Sequence, residues 1–251
     1  MICDKPTLLE LTCYYSALEC FKFILSSGAD INLSDSMGRI PIHFASAGGN
    51  IQILEYLIDQ GVSISMEDFR KKNALHYAAE NDSLEAFQWL WTNGLQLNSV
   101  HQRGWTSLHF AAWNNSLKIA AFLLLNGFNP DPISLAGETP MQFACFIGSP
   151  SFVVMLLQFG SQLEGLGNTS KIPLCWASKG GNLAVVKQLV ICGANINAQN
   201  ERGETPIMIA LRERHFDVVE FLLSKNPDLS KRNRYGESFL DIAQNYGYNI
   251  N

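Results

Sequence analysis

Apolar residues occur along this chain in short blocks whose spacing matches the faces of helices. Residues 218–223 read Val-Val-Glu-Phe-Leu-Leu, and residues 153–157 read Val-Val-Met-Leu-Leu. Apolar side chains three and four positions apart lie on one side of an α-helix. A shorter apolar segment and a turn, such as Gly148-Ser149-Pro150, come before these blocks. The pattern predicts pairs of short α-helices separated by tight turns.

The same pattern returns every 33 residues without an insertion or a deletion. A glycine follows the second segment of each pair, and an asparagine replaces it once: Gly28, Gly61, Gly94, Gly127, Gly160, Gly193 and Asn226. An alanine recurs in the first segment: Ala45, Ala78, Ala111, Ala144, Ala177, Ala210 and Ala243. A period of this length is typical of proteins that stack one small structural unit many times.

Local signals mark the helix ends. Thr139-Pro140 and Thr205-Pro206 combine a side chain that can cap free amides with a proline at the first helical position. Ile40 and Ile172 lack the side-chain cap but keep the proline that follows. The recurring glycine supplies the left-handed backbone conformation that ends a helix, and Asn226 is the best substitute for it.

One helix pair of this size cannot bury its apolar faces alone, whereas stacked neighbours can. We therefore predict an all-α solenoid of helix-turn-helix units joined by hairpin-like loops, forming a single domain over residues 1–251. The predicted units are 1–34 (partial), 35–67, 68–100, 101–133, 134–166, 167–199, 200–232 and 233–251 (partial).

These residues resemble the ankyrin repeat, whose pattern runs D-x-x-G-x-T-P-L-H-x-A-A, then G, V-V-x-L-L-L and G-A-D-x-N. Residues 38–45 (Gly-Arg-Ile-Pro-Ile-His-Phe-Ala) and 104–112 match the first part, and residues 28–32 and 193–197 match the last. The resemblance covers nearly the whole chain. It implies a solenoid that binds other proteins on its concave side, through hairpin tips and exposed positions of the first helices.

Some positions depart from the family pattern. The histidine of the pattern is replaced in five units by Glu10, Gln142, Cys175, Met208 and Asp241. This predicts a weaker ladder of hydrogen bonds between units. The loop glycine is replaced by Lys71 and Ser170, which predicts less regular hairpins there. A terminal unit normally has a polar outer face, yet the first unit carries Leu8, Leu9, Leu11, Phe21 and Phe23.

Charge and composition narrow the functional classes. The formal net charge is −5, and neither half of the chain offers the broad positive field of a nucleic-acid or anionic-membrane binder. The N-terminus has no basic segment followed by an apolar signal core. The most apolar stretch, around 119–125, is too short to cross a bilayer. We expect a cytoplasmic or other intracellular protein that binds neither nucleic acid nor membranes, and six cysteines in 251 residues fit a reducing compartment.

No residue pattern predicts catalysis, a cofactor or a metal site. His43, His76 and His109 are 33 residues apart, but stacked helices lie about 8–10 Å apart, whereas zinc ligands lie about 2 Å from their ion. We expect these histidines to be structural. The cysteines are expected to be small buried residues rather than nucleophiles: Cys13, Cys20, Cys145 and Cys175. Motifs of hydrolases, kinases and phosphate-binding loops are missing, so the sequence predicts no enzyme.

Mapped position by position, the concave surface that the resemblance implies has an aromatic centre. The predicted partner-binding residues are Phe69, Arg70, Arg103, Trp105, Trp113, Asn114, Leu135, Phe146 and Ile147. An exposed aromatic patch flanked by polar and arginine side chains is typical of a binding hot spot; the alternative is that these rings pack over neighbouring helices. The C-terminal third of this surface carries charges of both signs, and the residues mapped there are Lys171, Lys179, Glu201, Arg202, Glu204, Arg212, Glu213, Arg234, Tyr235 and Tyr246. Three further tryptophans occupy positions of the repeat that face the core, and they are predicted to be packing residues: Trp89, Trp91 and Trp176.

The sequence thus favours a protein-interaction scaffold or adaptor whose partner is another protein. One alternative is a self-assembly module that stacks through its apolar N-terminal unit and its truncated C-terminal unit. Another is that the chain is the binding part of a larger protein.

Overall fold

The computed structural model describes residues 7–166 and 171–248, and within them the chain forms fifteen α-helices and no strand. One isolated antiparallel bridge joins Arg232 to Ser238. The helices are α1 (Leu8–Tyr14), α2 (Leu18–Ser26), α3 (Pro41–Gly48), α4 (Ile51–Asp59), α5 (Ala74–Glu80), α6 (Leu84–Thr92), α7 (Ser107–Asn114), α8 (Leu117–Leu125), α9 (Pro140–Ile147), α10 (Pro150–Gln158), α11 (Pro173–Gly180), α12 (Leu183–Ile191), α13 (Pro206–Arg212), α14 (Phe216–Leu223) and α15 (Phe239–Tyr246). The prediction of an all-α fold is confirmed.

The helix ends follow the prolines and glycines of the sequence, but the side-chain cap predicted at Thr205 is wrong, because its hydroxyl makes no hydrogen bond at the start of α13. A proline occupies the first turn of α3, α9, α11 and α13, where its missing N–H leaves no hydrogen bond unmade. Each recurring glycine after a second helix has a positive φ, between 78° and 97°, and Asn226 takes the same region at 52°. The predicted left-handed ends are therefore confirmed. In the described residues no helix has the length and apolar character needed to span a membrane.

The helices pack into two compact units. The first comprises residues up to 128 with 132–136, and the second comprises 129–131 with the residues from 137 onward. In the first unit, α1, α3, α5 and α7 stack in file, and each packs against the second helix of its own repeat. In the second unit, α9, α11, α13 and α15 stack in file, and α9, α11 and α13 each pack against the second helix of their own repeat. That the whole chain forms one domain stays a prediction.

Small residues allow the first helices to approach closely. The alanine series is buried throughout: Ala45, Ala78, Ala111, Ala144, Ala177, Ala210 and Ala243. Gly48 is similarly constrained, because an added Cβ would collide with the carbonyl oxygen of Tyr14 on the neighbouring α1. Gly180 stands in the same relation to Phe146 in the second unit. Close backbone approach thus explains why small residues recur at these positions.

In the second and third repeats a buried histidine joins the start of the first helix to the loop that follows. Nδ1 of His76 accepts the backbone N–H of Asn73 at 3.1 Å, so its proton is on Nε2, which donates to the carbonyl oxygen of Ser99 at 3.1 Å. His43 makes the same pair of bonds, and His109 accepts the amide at its own helix start. The structural role expected for these histidines is therefore observed, and each ring nitrogen has a specific task.

Gln142 replaces the histidine without loss of either bond. Its Oε1 accepts the backbone N–H of Thr139, and its Nε2 donates to the carbonyl oxygen of Lys171 at 2.6 Å. The expectation of a weaker ladder is therefore wrong for Gln142, because a primary amide carries an acceptor and a donor as neutral imidazole does. Glu10 and Asp241 keep the first bond, to the amides at the starts of their own helices. For the two sulfur-containing replacements the expectation stays a prediction.

The hairpin at Lys71 is regular, although it lacks the family's glycine. Lys71 adopts a φ of 60°, the left-handed value that glycine favours. The Asp68 amide donates to the Lys72 carbonyl at 2.9 Å, and the Lys71 amide donates to the Asp68 carbonyl at 3.0 Å, as in the hairpin at 35–39. The prediction of an irregular hairpin is therefore wrong at Lys71. Ser170 lies outside the described residues.

We expect His76→Gln to reduce the sensitivity of this protein to acid. Burial lowers the pKa of His76 from its ordinary 6.5 to about 3, since desolvation disfavours the imidazolium. As the pH falls below 6.5, the unfolded chain binds a proton that the folded chain refuses, so folding stability falls. Between pH 6.5 and 5 this group alone accounts for about 2 kcal/mol of lost stability. A glutamine cannot titrate, and Gln142 shows that it can make both bonds.

Urea denaturation at pH 7 and pH 5 measures the effect as the free energy of unfolding at each pH. The His76→Gln protein should lose about 2 kcal/mol less than the unaltered protein over this range. His215→Gln makes the same substitution at a half-buried histidine at the start of α14 and controls for the change of side chain. Equal losses in the His76→Gln protein and the unaltered protein would contradict the role assigned to His76.

Candidate functional site

The hairpin tips of the first compact unit are joined edge to edge by backbone hydrogen bonds. Each tip donates an amide to the carbonyl oxygen of the preceding tip: Phe69 to Met37 at 3.0 Å, Gln102 to Arg70 at 2.9 Å and Leu135 to Arg103 at 2.9 Å. One row on this hydrogen-bonded backbone therefore contains four residues of the predicted partner-binding set: Phe69, Arg70, Arg103 and Leu135. The structure brings these four together.

Polar side chains at the hairpin entrances shape the tips. Oδ1 of Asp68 accepts the amides of Arg70 at 2.7 Å and Lys72 at 2.8 Å, which fixes the turn locally. At the next tip His101 takes this position, and its Nδ1 accepts the amide of Arg103 at 3.1 Å. Partial burial and, after it, the nearby charge of Lys72 lower the pKa of His101. A neutral imidazole is the form that can accept this bond.

Two apolar side chains stand out on the tips. Phe69 is 73% exposed and Leu135 is 82% exposed. Each lies over a glycine of the preceding hairpin, since a Cβ added to Gly38 would come within 2.6 Å of the Phe69 ring, and one added to Gly104 within 3.1 Å of Leu135 Cγ. The glycines therefore leave room for these side chains, whose outer sides are exposed.

Trp105 and Trp113 belong to one aromatic cluster but differ in exposure. The Trp105 ring lies 5.3 Å from Phe110 and 6.1 Å from Trp113, and it stacks on His109 at 6.3 Å. Trp105 is half-buried, whereas Trp113 at the end of α7 is 39% exposed. Asn114 beside it is exposed and donates to the carbonyl oxygen of Phe110 at 3.0 Å. Trp105 therefore packs, and Trp113 offers a ring edge to solvent.

A buried charged network lies beside this cluster. Lys72 Nζ lies 2.6 Å from Glu80 Oε2 and 4.0 Å from the centre of the Tyr77 ring. The Tyr77 hydroxyl donates to Oδ2 of Asp68 at 2.7 Å. Burial, together with this carboxylate, raises the pKa of Tyr77. Lys72 and Glu80 map to the concave side of the repeat but were not in the predicted partner-binding set, and their pairing is visible only from the distance between the two side chains.

The two remaining predicted residues belong to the second compact unit. Phe146 is half-buried, and its ring meets Trp176 edge to face at 6.0 Å. Ile147, at the end of α9, is 40% exposed. That these two residues share a patch with Trp105, Trp113 and Leu135 stays a prediction.

The second unit also contains a cavity of about 470 Å³. Cys175, Trp176 and Ile209 are its apolar lining residues, and its charged ones come from α11, from the hairpin at 200–204 and from the end of α13. Arg212 is held between two carboxylates, at 3.3 Å from Glu204 and 2.5 Å from Glu237. The sequence indicated a charged surface here, but nothing in its pattern indicated a cavity.

Of the three other tryptophans predicted to pack, Trp91 is the most exposed, at 38%. Its ring packs edge to face on Phe122 at 5.4 Å, so it lies at the edge of the core. Trp89 and Trp176 are half-buried. The position of a residue within the 33-residue repeat predicts the side of the helix on which it lies. It does not predict how far a large ring at that position is buried.

The cysteines divide into two groups. Cys13, Cys145 and Cys175 are buried as predicted, whereas Cys20 and Cys192 are exposed, so the prediction is wrong for Cys20. Burial raises the pKa of the Cys145 and Cys175 thiols, which keeps them protonated and unreactive at neutral pH. Within the described ranges, no three side chains of His, Cys, Asp or Glu come together as a metal-binding group.

Comparison with known proteins supports the repeat architecture. A sequence model of the family described as "Ankyrin repeats (3 copies)" matches residues 9–101, 66–134, 108–200 and 174–250. Among solved structures, the ankyrin repeat domain of human ASB11 is similar, with a TM-score of 0.71 and 21% sequence identity over 88% of this chain and 98% of that one. At this identity the likeness concerns the fold alone. No curated protein matches the chain.

Trp105 and Trp113 are expected to contribute unequally to stability. Trp105→Ala removes a half-buried ring that contacts several aromatic neighbours and should lower the free energy of unfolding by about 2–3 kcal/mol. Trp113→Ala removes a more exposed ring and should cost less than about 1 kcal/mol. Urea denaturation followed by circular dichroism compares the two, and equal losses would contradict the packing described for Trp105.

Proposed function

This chain belongs to the ankyrin-repeat family, and from that premise we propose that it is a scaffold or adaptor that binds a partner protein through its hairpin tips and the ends of its first helices. Ankyrin repeats are generally protein–protein interaction modules. Their fold is typically non-enzymatic, and the proposal includes no catalytic activity, cofactor or metal for this chain.

One observation carries the proposal: large apolar side chains and arginines stand exposed in a row on a hydrogen-bonded backbone. Phe69 and Leu135 are among the most exposed large apolar residues of the described chain, and Arg70 and Arg103 lie between them on the tip ladder. Exposed apolar side chains gain from being covered by a partner. Arginine beside aromatic and apolar anchors is the composition of a binding hot spot.

The rigidity of the hydrogen-bonded hairpin tips favours a high affinity for a partner protein. The tip amides and carbonyls are already bonded to each other, so binding does not have to order the backbone. A preorganised surface loses less conformational entropy on association than a mobile loop does. Trp113 adds a partly exposed ring at the end of α7, where a partner lying along the tips would reach the first helices.

The proposed setting is the cytoplasm or another reducing compartment. The five cysteines of the described residues are free thiols, and two of them, Cys20 and Cys192, are exposed. Exposed thiols persist in this form where the medium is reducing.

We expect the double variant Phe69→Ser, Leu135→Ser to lose its partner while remaining folded. Both side chains are exposed, so their replacement should leave the helical content and the urea midpoint unchanged. Loss of two anchors, each contributing more than about 1 kcal/mol, should reduce the amount of captured partner by at least about tenfold. Capture from a lysate of cells that express the protein, quantified by mass spectrometry, measures this.

The matched control is Leu125→Ser. Leu125 is 74% exposed, at the end of α8, so the change has the same chemistry on a second helix. The proposal predicts that a specific set of proteins is captured equally by the control and the unaltered chain, and is missing from the double variant. Equal capture by the double variant and the control would reject the hairpin tips as the binding surface.

Self-association is a second candidate, favoured by the apolar outer side of the first helix pair. Leu8 is 67% exposed, Tyr15 is 73% exposed and Phe23 is 70% exposed, whereas the counterparts of Leu8 in later repeats, such as Pro41 and Ala74, are buried. If copies associate through this side, light scattering should show a mass that rises with concentration, and Leu8→Glu with Phe23→Glu should abolish the rise. A constant monomer mass at all concentrations would dismiss this candidate.

A further inference from the structure

Two exposed arginines lie on neighbouring hairpin tips of the first compact unit. Arg70 and Arg103 occupy the same position in successive 33-residue repeats. Both are exposed, and among the described residues neither forms an ion pair. The charge of both guanidinium groups is therefore available to a negatively charged ligand.

The backbone limits the distance between these two arginines. The carbonyl oxygen of Arg70 accepts the amide of Gln102 at 2.9 Å, and Arg103 is the next residue along the chain. With standard backbone dimensions, the Cα atoms of Arg70 and Arg103 lie within about 11 Å of each other. Two extended arginine side chains together span more than this distance. Both guanidinium groups can therefore reach a single anion held between the tips.

Both arginines also act on one imidazole ring. The Nδ1 atom of His101 accepts the amide of Arg103 at 3.1 Å. Partial burial is the main cause of the lowered pKa of this imidazole, and the charges of Lys72, Arg103 and Arg70 lower the pKa further. A nearby cation has this effect because it disfavours the imidazolium. The two guanidinium groups thus lie close enough to the same ring to influence it.

The carboxylate at the entrance of the Arg70 hairpin is already occupied. Asp68 is 5% exposed, and its Oδ1 accepts the backbone amides of Arg70 and Lys72. Its Oδ2 accepts the hydroxyl of Tyr77 at 2.7 Å. The next hairpin has His101 at this position in place of an aspartate. Neither hairpin therefore offers its own arginine a free carboxylate from its entrance.

The second compact unit has a similar pair of arginines in a less favourable setting. Arg234 donates its amide to the carbonyl oxygen of Arg202 at 2.9 Å, and both side chains are exposed. The exposed Glu201 directly precedes Arg202 and would repel an anion. The residue at the same position before Arg103 is the uncharged Gln102. The tips of the first unit are therefore the better anion site.

Apolar side chains on both sides of the arginines favour a protein as the source of the anion. The exposed Phe69 directly precedes Arg70, and the exposed Leu135 donates its amide to the carbonyl oxygen of Arg103 at 2.9 Å. A protein segment can place an anionic group between the arginines and cover these apolar side chains as well. The formal net charge of −5 disfavours association with polyanions such as nucleic acids.

We propose that Arg70 and Arg103 bind a phosphorylated side chain of the partner protein, while apolar residues of the same segment cover Phe69 and Leu135. Guanidinium donors match the oxygens of a phosphate group and can bind them in pairs. A phosphorylated residue carries about two negative charges at neutral pH, which two arginines can balance. The inference rests on the proposed protein-binding function and adds the chemistry of the partner's segment.

The test uses the complete chain and two fluorescein-labelled peptides built mainly of glycine and serine. One contains a phosphoserine between two leucines, and the other has an unmodified serine at that position. Fluorescence anisotropy should show that the phosphorylated peptide binds at least about tenfold more tightly than the other. Inorganic phosphate should compete with it, and a higher salt concentration should weaken its binding, because charge contacts are involved.

Removal of the two charges on the protein gives the reciprocal result. The double variant Arg70→Gln, Arg103→Gln should bind the phosphorylated peptide at least about tenfold more weakly and should no longer distinguish the two peptides. The matched comparison is Arg202→Gln, which alters an exposed arginine at the same repeat position in the second unit and should leave the affinity unchanged. Circular dichroism and the urea midpoint establish that the variants are folded.

Four results would overturn the inference. They are no binding of the phosphorylated peptide, equal binding of both peptides, equal losses in the double variant and in Arg202→Gln, and binding to vesicles that contain phosphatidylinositol phosphate in place of binding to the peptide. The last result would assign the two arginines to a membrane surface.

Phosphatase treatment of the lysate before capture separates this inference from the proposed function. If the inference holds, the treatment should reduce the captured partner by at least about tenfold, as the double arginine variant should. Capture that is lost in the Phe69→Ser, Leu135→Ser variant but unchanged by phosphatase leaves the proposed function intact and removes this inference. Binding of the phosphorylated peptide that depends on both arginines supports the inference even if the hairpin-tip serine variant still captures its partner.

Discussion

The fold depends on a buried polar side chain that bonds twice, once to the amide at its own helix start and once to the carbonyl of a following loop. His43, His76 and Gln142 each make both bonds. Inside a packed core an unpaired polar group is costly, so both bonds are needed once the side chain is buried. In these three repeats the two bonds fix the position of the loop relative to the start of the helix. The hairpin tips can then meet at hydrogen-bonding distance, and Arg103 and Leu135 meet in this way at 2.9 Å.

Because the interior is set by this packing, the surface is free to differ between repeats. In the first compact unit the hairpin tips present Phe69, Leu135 and arginines over glycines that leave them room. In the second unit the equivalent region holds lysines, glutamates and a cavity above Trp176. The alanines beneath both surfaces are buried and unvaried. A repeat protein of this kind can therefore change what it recognises without changing how it folds.

Much of the candidate surface could be predicted, because a position in the repeat implies a place on the helix or hairpin. Phe69, Arg70, Arg103 and Leu135 lie on the tips as the 33-residue phase indicates. The position in the repeat could not predict which of Trp105 and Trp113 is more exposed, since the exposure of each ring depends on how the neighbouring rings pack against it. For the same reason it could not predict how far Trp91 is exposed. The pairing of Lys72 with Glu80 needed the distance between two side chains, 2.6 Å, which no sequence pattern carries.

The sequence by itself determined the number, order and ends of the helices, because caps, prolines, glycines and apolar spacing act within a few residues of each other. It also determined which small residues lie between the stacked helices. Only the tertiary structure decided that Gln142 can replace a histidine and that the hairpin at Lys71 keeps its form. The tertiary structure likewise decided that a cavity opens beside Trp176. Each of these depends on the distances between atoms of residues brought together from different parts of the chain, which folding sets and local pattern does not.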